Sequence, residues 1–484
     1  MRLSDLTGSN DRASRIEVAG ITADSRAVLP GYVFAALRGV RTDGTQFISD
    51  AIEHGAVAVL APSGTKIQND GVFVVSDENP RRRLALMAAR FYPRQPETIV
   101  AVTGTNGKTS TADFAAQIWA RLGIKGGSLG TLGLRTSVGA SEGNLTTPDP
   151  VTLHRSLDQL AGDGIEHLAM EASSHGLDQY RLDGVRVSAA AFTNISHDHL
   201  DYHGSHEAYL AAKLRLFTEV LPEGGIAVLN ADLPEFETVR AACASRRQLI
   251  LTYGTARAAD YRLVAAEPGP CGQTVEVAIH GATHKVLLPL YGSFQAENAL
   301  AALALVIGTG ANSAAAIDAL GHLQGVTGRA QLVAELNTRA KIFVDYAHTP
   351  DALSHVLTAL RPHTKGRLVL VFGCGGERDR AKRPEMGRIA SELADHVIVT
   401  DDNPRDEDAA TIRGEILAAC PGAEDVGSRS RAIARGIAVL APGDLLVVAG
   451  KGHETGQVVR GEVRPFDDTA VIRKAVLGHG RNGS

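Results

Sequence analysis

Residues 103–111, with the sequence TGTNGKTST, have the residue types that bind a polyphosphate. The apolar run 99–102 precedes them, and apolar residues at helical spacing follow. A glycine turn between strand and helix directs free backbone N–H groups at one point, and Lys108 adds a positive charge. Val102 occupies the first glycine position of the full Walker pattern, so the loop is a shortened relative of it. We predict a nucleotide-phosphate site; a plain strand-to-helix turn is the alternative.

Acidic and imidazole side chains follow two later apolar runs. Glu171 ends the run 167–171, and three histidines and two aspartates lie within 197–203, after the run 187–192. Ligands lie outside the carboxyl ends of parallel strands, so both groups should face the phosphate loop. The spacing matches no zinc pattern, and hard ligands near a polyphosphate favour magnesium. A helix cap with a polar surface loop is the alternative.

Lys213 lies on the apolar side of a predicted helix, 206–220, near Leu210 and Phe217. A lysine in this position usually extends its ammonium group to water. A lysine that is desolvated beside a metal can instead stay neutral and react with carbon dioxide. The resulting carbamate would act as a carboxylate.

The last third of the chain repeats the pattern of an apolar run followed by a charged loop. The runs are 342–345, 368–372, 396–400 and 445–449. This rhythm predicts a second doubly wound α/β unit, after a small α/β unit at the N-terminus and a central one that contains the phosphate loop. Arg405, in the loop after the third run, offers a planar fork to a carboxylate, whereas an Asn-Pro turn with a solvated arginine is the alternative.

Length and composition agree with several α/β domains. A chain of 484 residues is too long for one core and suggests three units. The formal charge of −5 argues against nucleic acid as the main partner. The four cysteines form no Cys-x-x-Cys pair, which indicates neither a disulfide framework nor a zinc site. The residues after Met1 lack the apolar core of a signal peptide, and no uncharged apolar run is long enough to span a bilayer. We therefore expect a cytoplasmic protein without membrane insertion.

Seven short motifs, in a fixed order, make nearly the whole chain similar to the Mur ligases of peptidoglycan synthesis. The motifs are 103–109, Glu171 with 173–176, 198–201, the Ala-Ala-Lys that ends at Lys213, 345–348, 402–405 and 450–454. The resemblance implies a UDP-sugar-binding domain at 1–96, an ATP-binding domain at 97–331 and an amino-acid-binding domain at 332–484. The central domain would have a P-loop ATPase parallel sheet, and the C-terminal domain would be Rossmann-like.

The resemblance also assigns expected roles by motif position. The UDP-sugar would contact Ser25, Val40, Arg41, Thr42, Thr146, Thr147, Ser173, Gln179 and Arg181. ATP would contact Gly104, Thr105, Asn106, Gly107, Lys108, Thr109, Ser110, Asn298, Arg329 and Asp345. The incoming amino acid would contact Arg378, Asp402, Asn403, Pro404, Arg405, Gly450 and Glu454. Magnesium would be held by Thr109, Glu171, His199 and a carbamylated Lys213, and the catalytic groups would be Lys108, Glu171, His199 and Lys213. One departure is Gln295, where the family pattern leads us to expect an asparagine.

The implied reaction is ADP-forming ligation of meso-2,6-diaminopimelate to UDP-N-acetylmuramoyl-L-alanyl-D-glutamate through an acyl phosphate. This is a step of cell-wall biogenesis, and so of cell shape and cell division. Arg405 favours diaminopimelate, because lysine would leave a guanidinium without its carboxylate partner. The alternatives are a sister ligase that adds L-lysine or another amino acid, and a nucleotide-gated scaffold that hydrolyses ATP slowly. We expect a monomer whose partners are small-molecule substrates.

Overall fold

The computed structural model describes residues 1–8, 15–39, 42–67, 71–137, 139–141, 143, 145–196 and 198–481. Three large β-sheets follow one another along the chain, and helices cover them. No helix in these ranges is long and apolar enough to cross a bilayer. The sheets occupy the three predicted units in order, and the domain boundaries at 96/97 and 331/332 stay a prediction.

The N-terminal sheet has four parallel strands in the order β1-β2-β3-β4. The strands are β1 (Gly20–Thr22), β2 (Tyr32–Ala35), β3 (Ala58–Pro62) and β4 (Phe73–Asp77), and the helices are α1 (Leu3–Thr7), α2 (Ile48–Glu53) and α3 (Pro80–Phe91). Short 3-10 turns lie at Ser25–Ala27 and Gly44–Phe47. Helix α3 begins where the Asn79 side chain accepts the Arg82 N–H and proline stands in the first turn, a strong start signal.

The central sheet has eleven strands, with a parallel middle and antiparallel ends. Its order is β15-β14-β13-β12-β11-β10-β5-β9-β6-β7-β8. The strands are β5 (Thr98–Thr103), β6 (Gly126–Gly130), β7 (Gly133–Thr136), β8 (Gly139–Ser141), β9 (His167–Glu171), β10 (Val187–Phe192), β11 (Ile226–Asn230), β12 (Leu249–Gly254), β13 (Tyr261–Gly269), β14 (Gly272–Ile279) and β15 (Ala282–Leu288). The helices are α4 (Lys108–Arg121), α5 (Pro150–Gly162), α6 (Ser174–Asp178), α7 (Leu200–His203), α8 (His206–Arg215), α9 (Phe236–Ser245), α10 (Ser293–Gly308) and α11 (Ser313–Leu320).

The C-terminal sheet has six strands in the order β16-β17-β21-β18-β19-β20, and only β16 is antiparallel to its neighbour. The strands are β16 (Gln331–Glu335), β17 (Lys341–Asp345), β18 (Leu368–Phe372), β19 (His396–Val399), β20 (Glu424–Asp425) and β21 (Leu445–Ala449). A separate hairpin consists of β22 (Gly456–Val459) and β23 (Glu462–Pro465). The helices are α12 (Pro350–Leu360), α13 (Lys382–Leu393), α14 (Ala409–Leu417), α15 (Arg429–Ala438) and α16 (Asp468–Arg481), with a 3-10 turn at Arg361–His363.

Apolar cores lie on both faces of the central and C-terminal sheets, as a doubly wound fold requires. On one face of the central sheet, α4 and α10 pack with Phe114, Trp119 and Leu303 fully buried. On the other face, Leu157 of α5 and Phe217 are fully buried. The three-domain α/β class predicted from the sequence is therefore the observed one.

Two features differ from the prediction. The helix predicted over 206–220 is α-helical only to Arg215, and Leu216–Val220 forms a wider π turn. The central sheet also continues into the antiparallel meander β13–β15, which the motif analysis did not predict.

Candidate active site

The phosphate loop lies between β5 and α4, as predicted. Gly104 and Gly107 have φ of 144° and 87°, which side chains rarely tolerate. A Cβ atom at Gly104 would lie 1.9 Å from Thr193 Oγ1, and one at Gly107 would lie 2.4 Å from Asn298 Oδ1. The loop is thus closed against β10 and α10, and glycine is required at both positions.

The ammonium of Lys108 lies over its own loop. Nζ donates to the carbonyl oxygens of Gly104 and Thr105, each at 2.8 Å. Burial lowers the pKa of Lys108, and the nearby carboxylates Glu171 and Asp198 oppose that effect. Phosphate oxygens could replace the two carbonyls as stronger acceptors.

The turn after β10 meets the phosphate loop. Thr193 Oγ1 donates to the Asn106 carbonyl at 2.6 Å, and the Asn106 N–H donates to Asn194 Oδ1 at 2.8 Å. Asn194 Nδ2 also donates to the Asn106 carbonyl at 3.1 Å. The strand ends therefore converge as the parallel-sheet argument predicts, because β5 and β10 are adjacent.

Glu171, at the end of β9, is 2% exposed and is held by a residue that the motif analysis missed. Its Oε1 accepts the Thr131 N–H at 2.7 Å, and its Oε2 accepts the Thr131 hydroxyl at 3.1 Å. Thr131 also lies 3.0 Å from Thr146, oxygen to oxygen. The only signal for Thr131 in the sequence is its place in a glycine turn, between Gly130 and Gly133.

Lys213 is 1% exposed, so its ammonium does not extend to water. Nζ lies 4.2 Å from the centroid of the Tyr209 ring. Burial, with the positive charge of Lys108, holds the pKa of Lys213 well below its ordinary value. Burial likewise lowers the pKa of His199. Lys213 therefore has the neutral, desolvated environment in which a carbamate can form.

The metal expected here is compatible with this donor set only if Lys213 is carbamylated. Within the described part of the chain, no three His, Cys, Asp or Glu side chains come together as a metal-binding group. Glu171 would supply the oxygen ligands that magnesium prefers, His199 would supply a less usual nitrogen ligand, and an amine is a poor ligand for magnesium. A carbamate at Lys213 would add oxygen ligands and complete an oxygen-rich site with Thr109.

The residues expected to bind the nucleotide come from both sides of the junction between the central and C-terminal sheets. Arg329 Nη2 lies 3.4 Å from Thr109 Oγ1, and its Cζ lies 4.6 Å from the centroid of the Tyr346 ring. Asp345 Oδ2 accepts the Ala330 N–H at 2.6 Å, and burial raises the pKa of Asp345. Arg329 and Asp345 thus lie together, and Arg329 lies beside the first turn of α4, which carries Thr109.

Gln295 occupies the position where we expected an asparagine. Its Oε1 accepts from Asn298 Nδ2 at 3.2 Å, and its Nε2 donates to the Arg329 carbonyl at 3.0 Å. Asn298 itself is 7% exposed. The longer amide therefore joins Asn298 to Arg329.

The loops after β19 and β21 form one hydrogen-bonded group. Asn403 Nδ2 donates to Glu454 Oε2 at 2.9 Å. Lys451, fully buried, donates to the same oxygen at 2.8 Å and to Asn403 Oδ1 at 3.1 Å. Burial acts to raise the pKa of Glu454, but Lys451 and Asn403 outweigh it and the pKa is lowered. Lys451 is a second residue that the motif analysis did not single out.

The other expected amino-acid contacts surround this group. A Cβ atom at Gly450 would lie 2.8 Å from Asp402 Oδ2, so β21 ends against Asp402. Arg405 Nη1 donates to the Gly376 carbonyl at 2.6 Å, and Pro404 is buried. Arg378 is exposed in the loop after β18. All these positions lie at the carboxyl ends of β18, β19 and β21.

A cavity of about 600 Å³ lies between the N-terminal and central sheets. Asp24, Arg81, Tyr92, Gln179 and Arg181 are among the residues that line it. Arg181 Nη1 donates to the Thr147 carbonyl at 2.6 Å and Nη2 to Gln179 Oε1 at 2.7 Å. The cavity therefore has both aromatic and guanidinium groups, which suit an anionic nucleotide sugar.

The other residues expected to bind the sugar nucleotide are not in the lining of this cavity, and two of them lie outside the described ranges. Ser25 follows the lining residue Asp24 in the chain. Ser173 caps α6 and donates to Thr147 Oγ1 at 3.1 Å. Thr42 is exposed, and Val40 and Arg41 lie outside the described residues.

Three family models cover most of the chain in the same order as the sheets. The Mur ligase family, catalytic domain, matches residues 17–92; the Mur ligase middle domain matches 102–306; and the Mur ligase, glutamate ligase domain, matches 328–452. A relative from Bradyrhizobium diazoefficiens is 52% identical, and the match covers 98% of this chain and 99% of that protein. The chain belongs to the Mur ligase family.

Other relatives and solved structures agree with this membership. A relative of this Mur ligase from Caulobacter vibrioides is 50% identical over 99% of each chain. Both relatives have the name UDP-N-acetylmuramoyl-L-alanyl-D-glutamate–2,6-diaminopimelate ligase. A solved structure of a protein with that name is 33% identical, with a TM-score of 0.75 and 99% coverage of each chain. The ADP complex of MurF ligase from Thermotoga maritima, 21% identical over 96% of each chain with a TM-score of 0.64, shows the same fold. As a member of this family, the protein is an ATP-dependent ligase.

Proposed function

We propose that this Mur ligase joins meso-2,6-diaminopimelate to the D-glutamate carboxylate of UDP-N-acetylmuramoyl-L-alanyl-D-glutamate, in peptidoglycan precursor synthesis. The observation that supports this most strongly is the full-length identity, up to 52%, with relatives named as ligases of these two substrates. Arg405, at the end of β19, agrees with it, because its guanidinium can bind a distal carboxylate.

The first step activates the D-glutamate carboxylate. A carboxylate and an ammonium do not condense readily in water. A carboxylate oxygen therefore attacks the γ-phosphorus of ATP, the bond from that phosphorus to the bridging oxygen of ADP breaks, and the products are ADP and an acyl phosphate. Lys108 exchanges the carbonyls of Gly104 and Thr105 for phosphate oxygens and stabilises the negative charge that develops. Thr109, Glu171, His199 and carbamylated Lys213 would hold magnesium, which offsets the repulsion between the two anions.

The second step forms the amide bond. The amine of the incoming amino acid, after loss of its proton, attacks the acyl carbon, and the tetrahedral intermediate releases inorganic phosphate. Glu454, Asn403 and Asp402 bind the amino acid near its reacting end, with Arg378, Pro404 and Gly450 nearby. Arg405 binds the distal carboxylate. No protein nucleophile is required.

The other ligands occupy the sites where the expected residues gather. ATP binds with its phosphates at residues 104–110 and its nucleoside near Asn298, Arg329 and Asp345. The UDP-sugar enters the cavity of about 600 Å³, near Ser25, Thr42, Thr146, Thr147, Ser173, Gln179 and Arg181. The domain boundaries 1–96, 97–331 and 332–484 and a monomeric state are part of the proposal. So is a cytoplasmic location, since that is where ATP is available.

A panel of amino acids tests the proposal. The enzyme is mixed with ATP, magnesium and the UDP-muramoyl dipeptide, and phosphate release is measured with meso-diaminopimelate, L-lysine, D-alanyl-D-alanine and no amino acid. We expect release to depend on both the dipeptide and meso-diaminopimelate, with a kcat/KM for L-lysine roughly a hundredfold lower, because lysine leaves Arg405 without a partner. A kcat/KM for L-lysine higher than that for meso-diaminopimelate would refute the proposed substrate. Phosphate release at the same rate without an amino acid would refute coupled ligation.

A further inference from the structure

The peptide group that joins Gly376 to Glu377 is held at both ends. Its carbonyl oxygen accepts from Arg405 Nη1 at 2.6 Å. Its N–H donates to Oε1 of Glu407. The carbonyl and the N–H belong to one planar unit, so a contact at one end orients the other.

The residue that follows this peptide group has a strained backbone conformation. Glu377 has φ of 51°, in the left-handed region that costs a non-glycine residue free energy. Rotation of the peptide group would relieve the strain, but it would also turn the Gly376 carbonyl away from Arg405. The hydrogen bond to Glu407 opposes this rotation. The Gly376 N–H, on the preceding peptide group, is separately held by the Asn403 carbonyl at 2.9 Å.

Glu407 is in turn held by a buried guanidinium. Arg383, on α13, is 0% exposed, and its Nη2 donates to both carboxylate oxygens of Glu407, at 3.0 and 2.9 Å. Its Nη1 donates to Glu415 Oε2 at 2.8 Å. The Glu377 N–H lowers the pKa of Glu407, and Arg383 acts in the same direction against the effect of burial. The acceptor for the Glu377 N–H is therefore a fixed carboxylate.

The Arg405 guanidinium is only partly used by the protein. Nη1 donates to Gly376 and lies 3.5 Å from the Asn403 carbonyl. Among the residues that the structure describes, no acceptor contacts Nε or Nη2. These two nitrogens form one edge of the fork, and the Gly376 carbonyl decides where that edge points.

We infer that Glu407, held by Arg383, is a positioning residue that orients the Arg405 guanidinium and so sets the preference for an amino acid with a distal carboxylate. The inference rests on the proposed function, because it assumes that Arg405 binds that carboxylate. Glu407 itself does not contact the amino acid. Its effect passes through the Gly376–Glu377 peptide group.

The two carboxylates on Arg383 provide a matched pair of variants. Glu407→Ala removes the contact to the Glu377 N–H. Glu415→Ala instead removes the other carboxylate that pairs with Arg383, which also pairs with Arg380, and leaves the peptide group held. With ATP and the UDP-muramoyl dipeptide at saturation, we expect Glu407→Ala to raise the KM for meso-diaminopimelate about tenfold. A factor of this size corresponds to the loss of about one well-oriented hydrogen bond between Arg405 and the substrate. Its preference for meso-diaminopimelate over L-lysine should fall by a similar factor, and the KM for ATP should not change. Glu415→Ala should keep the wild-type preference.

A rescue variant separates positioning from general damage. Glycine adopts a positive φ without steric cost, so Glu377→Gly in the Glu407→Ala background should recover part of the lost preference. If thermal melting shows that Glu407→Ala does not fold, Glu407→Gln takes its place. Glutamine keeps an oxygen acceptor but lacks the negative charge that pairs with Arg383, so we expect an intermediate loss of preference for meso-diaminopimelate.

Several results would overturn the inference. One is an equal loss of preference for meso-diaminopimelate over L-lysine in Glu407→Ala and Glu415→Ala. Another is a wild-type preference in Glu407→Ala or Glu407→Gln. A third is a Glu377→Gly change that recovers none of the preference lost in Glu407→Ala. A wild-type enzyme that does not ligate meso-diaminopimelate would instead refute the proposed function. If the wild-type enzyme does ligate meso-diaminopimelate and the Glu407→Ala variant has the same preference as the wild type, only the positioning role is refuted.

Discussion

Replacement of Arg405 by alanine tests the selective end of the site most directly. Arg405 has φ of 54°, and alanine keeps the Cβ atom, so the substitution removes the guanidinium with little change in backbone preference. The change also removes the bond to the carbonyl of Gly376, a buried residue whose N–H stays bonded to the Asn403 carbonyl at 2.9 Å. We therefore expect the variant to fold.

The expected loss follows from the two nitrogens that the protein leaves available. A carboxylate on Nε and Nη2 would receive two charge-assisted hydrogen bonds, each worth about 1.5–3 kcal/mol. Arg405 is half-buried, so water competes for the guanidinium, and the lower end of that range applies. A total of about 3 kcal/mol corresponds to roughly a hundredfold in kcat/KM.

The assay is phosphate release with meso-diaminopimelate as the varied substrate. Arg405→Ala should lower kcat/KM for meso-diaminopimelate roughly a hundredfold, while the KM for ATP stays within about twofold. The kcat/KM of Arg405→Lys should lie between those of Arg405→Ala and the wild type, because an ammonium is a point charge without the planar fork. Equal kcat/KM for meso-diaminopimelate in Arg405→Ala and wild type would refute the assigned role of Arg405.

Three further predictions follow from the site and the core. Lys213→Ala should be nearly inactive and partly rescued by a short-chain acid such as acetate in a phosphate-release assay, and wild-type activity would reject the carbamate role. Gly107→Ala should raise the KM for ATP at least about tenfold, because its Cβ would lie 2.4 Å from Asn298 Oδ1. The control is Gly123→Ala, at a glycine with φ of 77° and open space around it, which should lose stability but keep the wild-type KM for ATP. His154 has its pKa lowered by burial to about 4, so the unfolded chain binds more protons between pH 4 and 6.5, and stability falls as pH drops through that window. We expect urea unfolding at pH 7 and pH 5 to show that acidification lowers the free energy of unfolding of His154→Leu by about 2 kcal/mol less than that of the wild type. An equal decrease in both proteins would contradict this.

Much of the fold follows from local patterns. The run 187–192 is β10, and the run 368–372 is β18, because a continuous apolar segment between turns is typical of a strand covered on both faces. Helix α5 begins at Asp149 and Pro150, another cap and proline pair that can be read from the chain. The meander β13–β15 was missed because the prediction followed continuous apolar runs that end in chemical motifs, whereas these strands alternate in burial, as antiparallel strands with one covered face do.

Sequence motifs predict which residues belong to the candidate site, but not how those residues assemble. Arg329 reaches Thr109 from 220 positions along the chain, a contact that no local pattern encodes. Thr131 and Glu407 lie outside the motifs, and Lys451 lies inside one without an assigned role; each holds another part of the site in place. Supporting residues of this kind are visible only once their partners have coordinates.

By itself, the sequence determined the parallel strands that carry motifs, the phosphate loop and the places where chemically active loops follow those strands. These depend on residue type and spacing over short distances, where propensity and periodicity act. Only the tertiary structure decided that Lys213 is desolvated beneath Tyr209 and that Glu407 holds the peptide group on which Arg405 rests. Burial and orientation depend on which distant segments pack together, and the packing of a whole sheet, rather than any one segment, sets them.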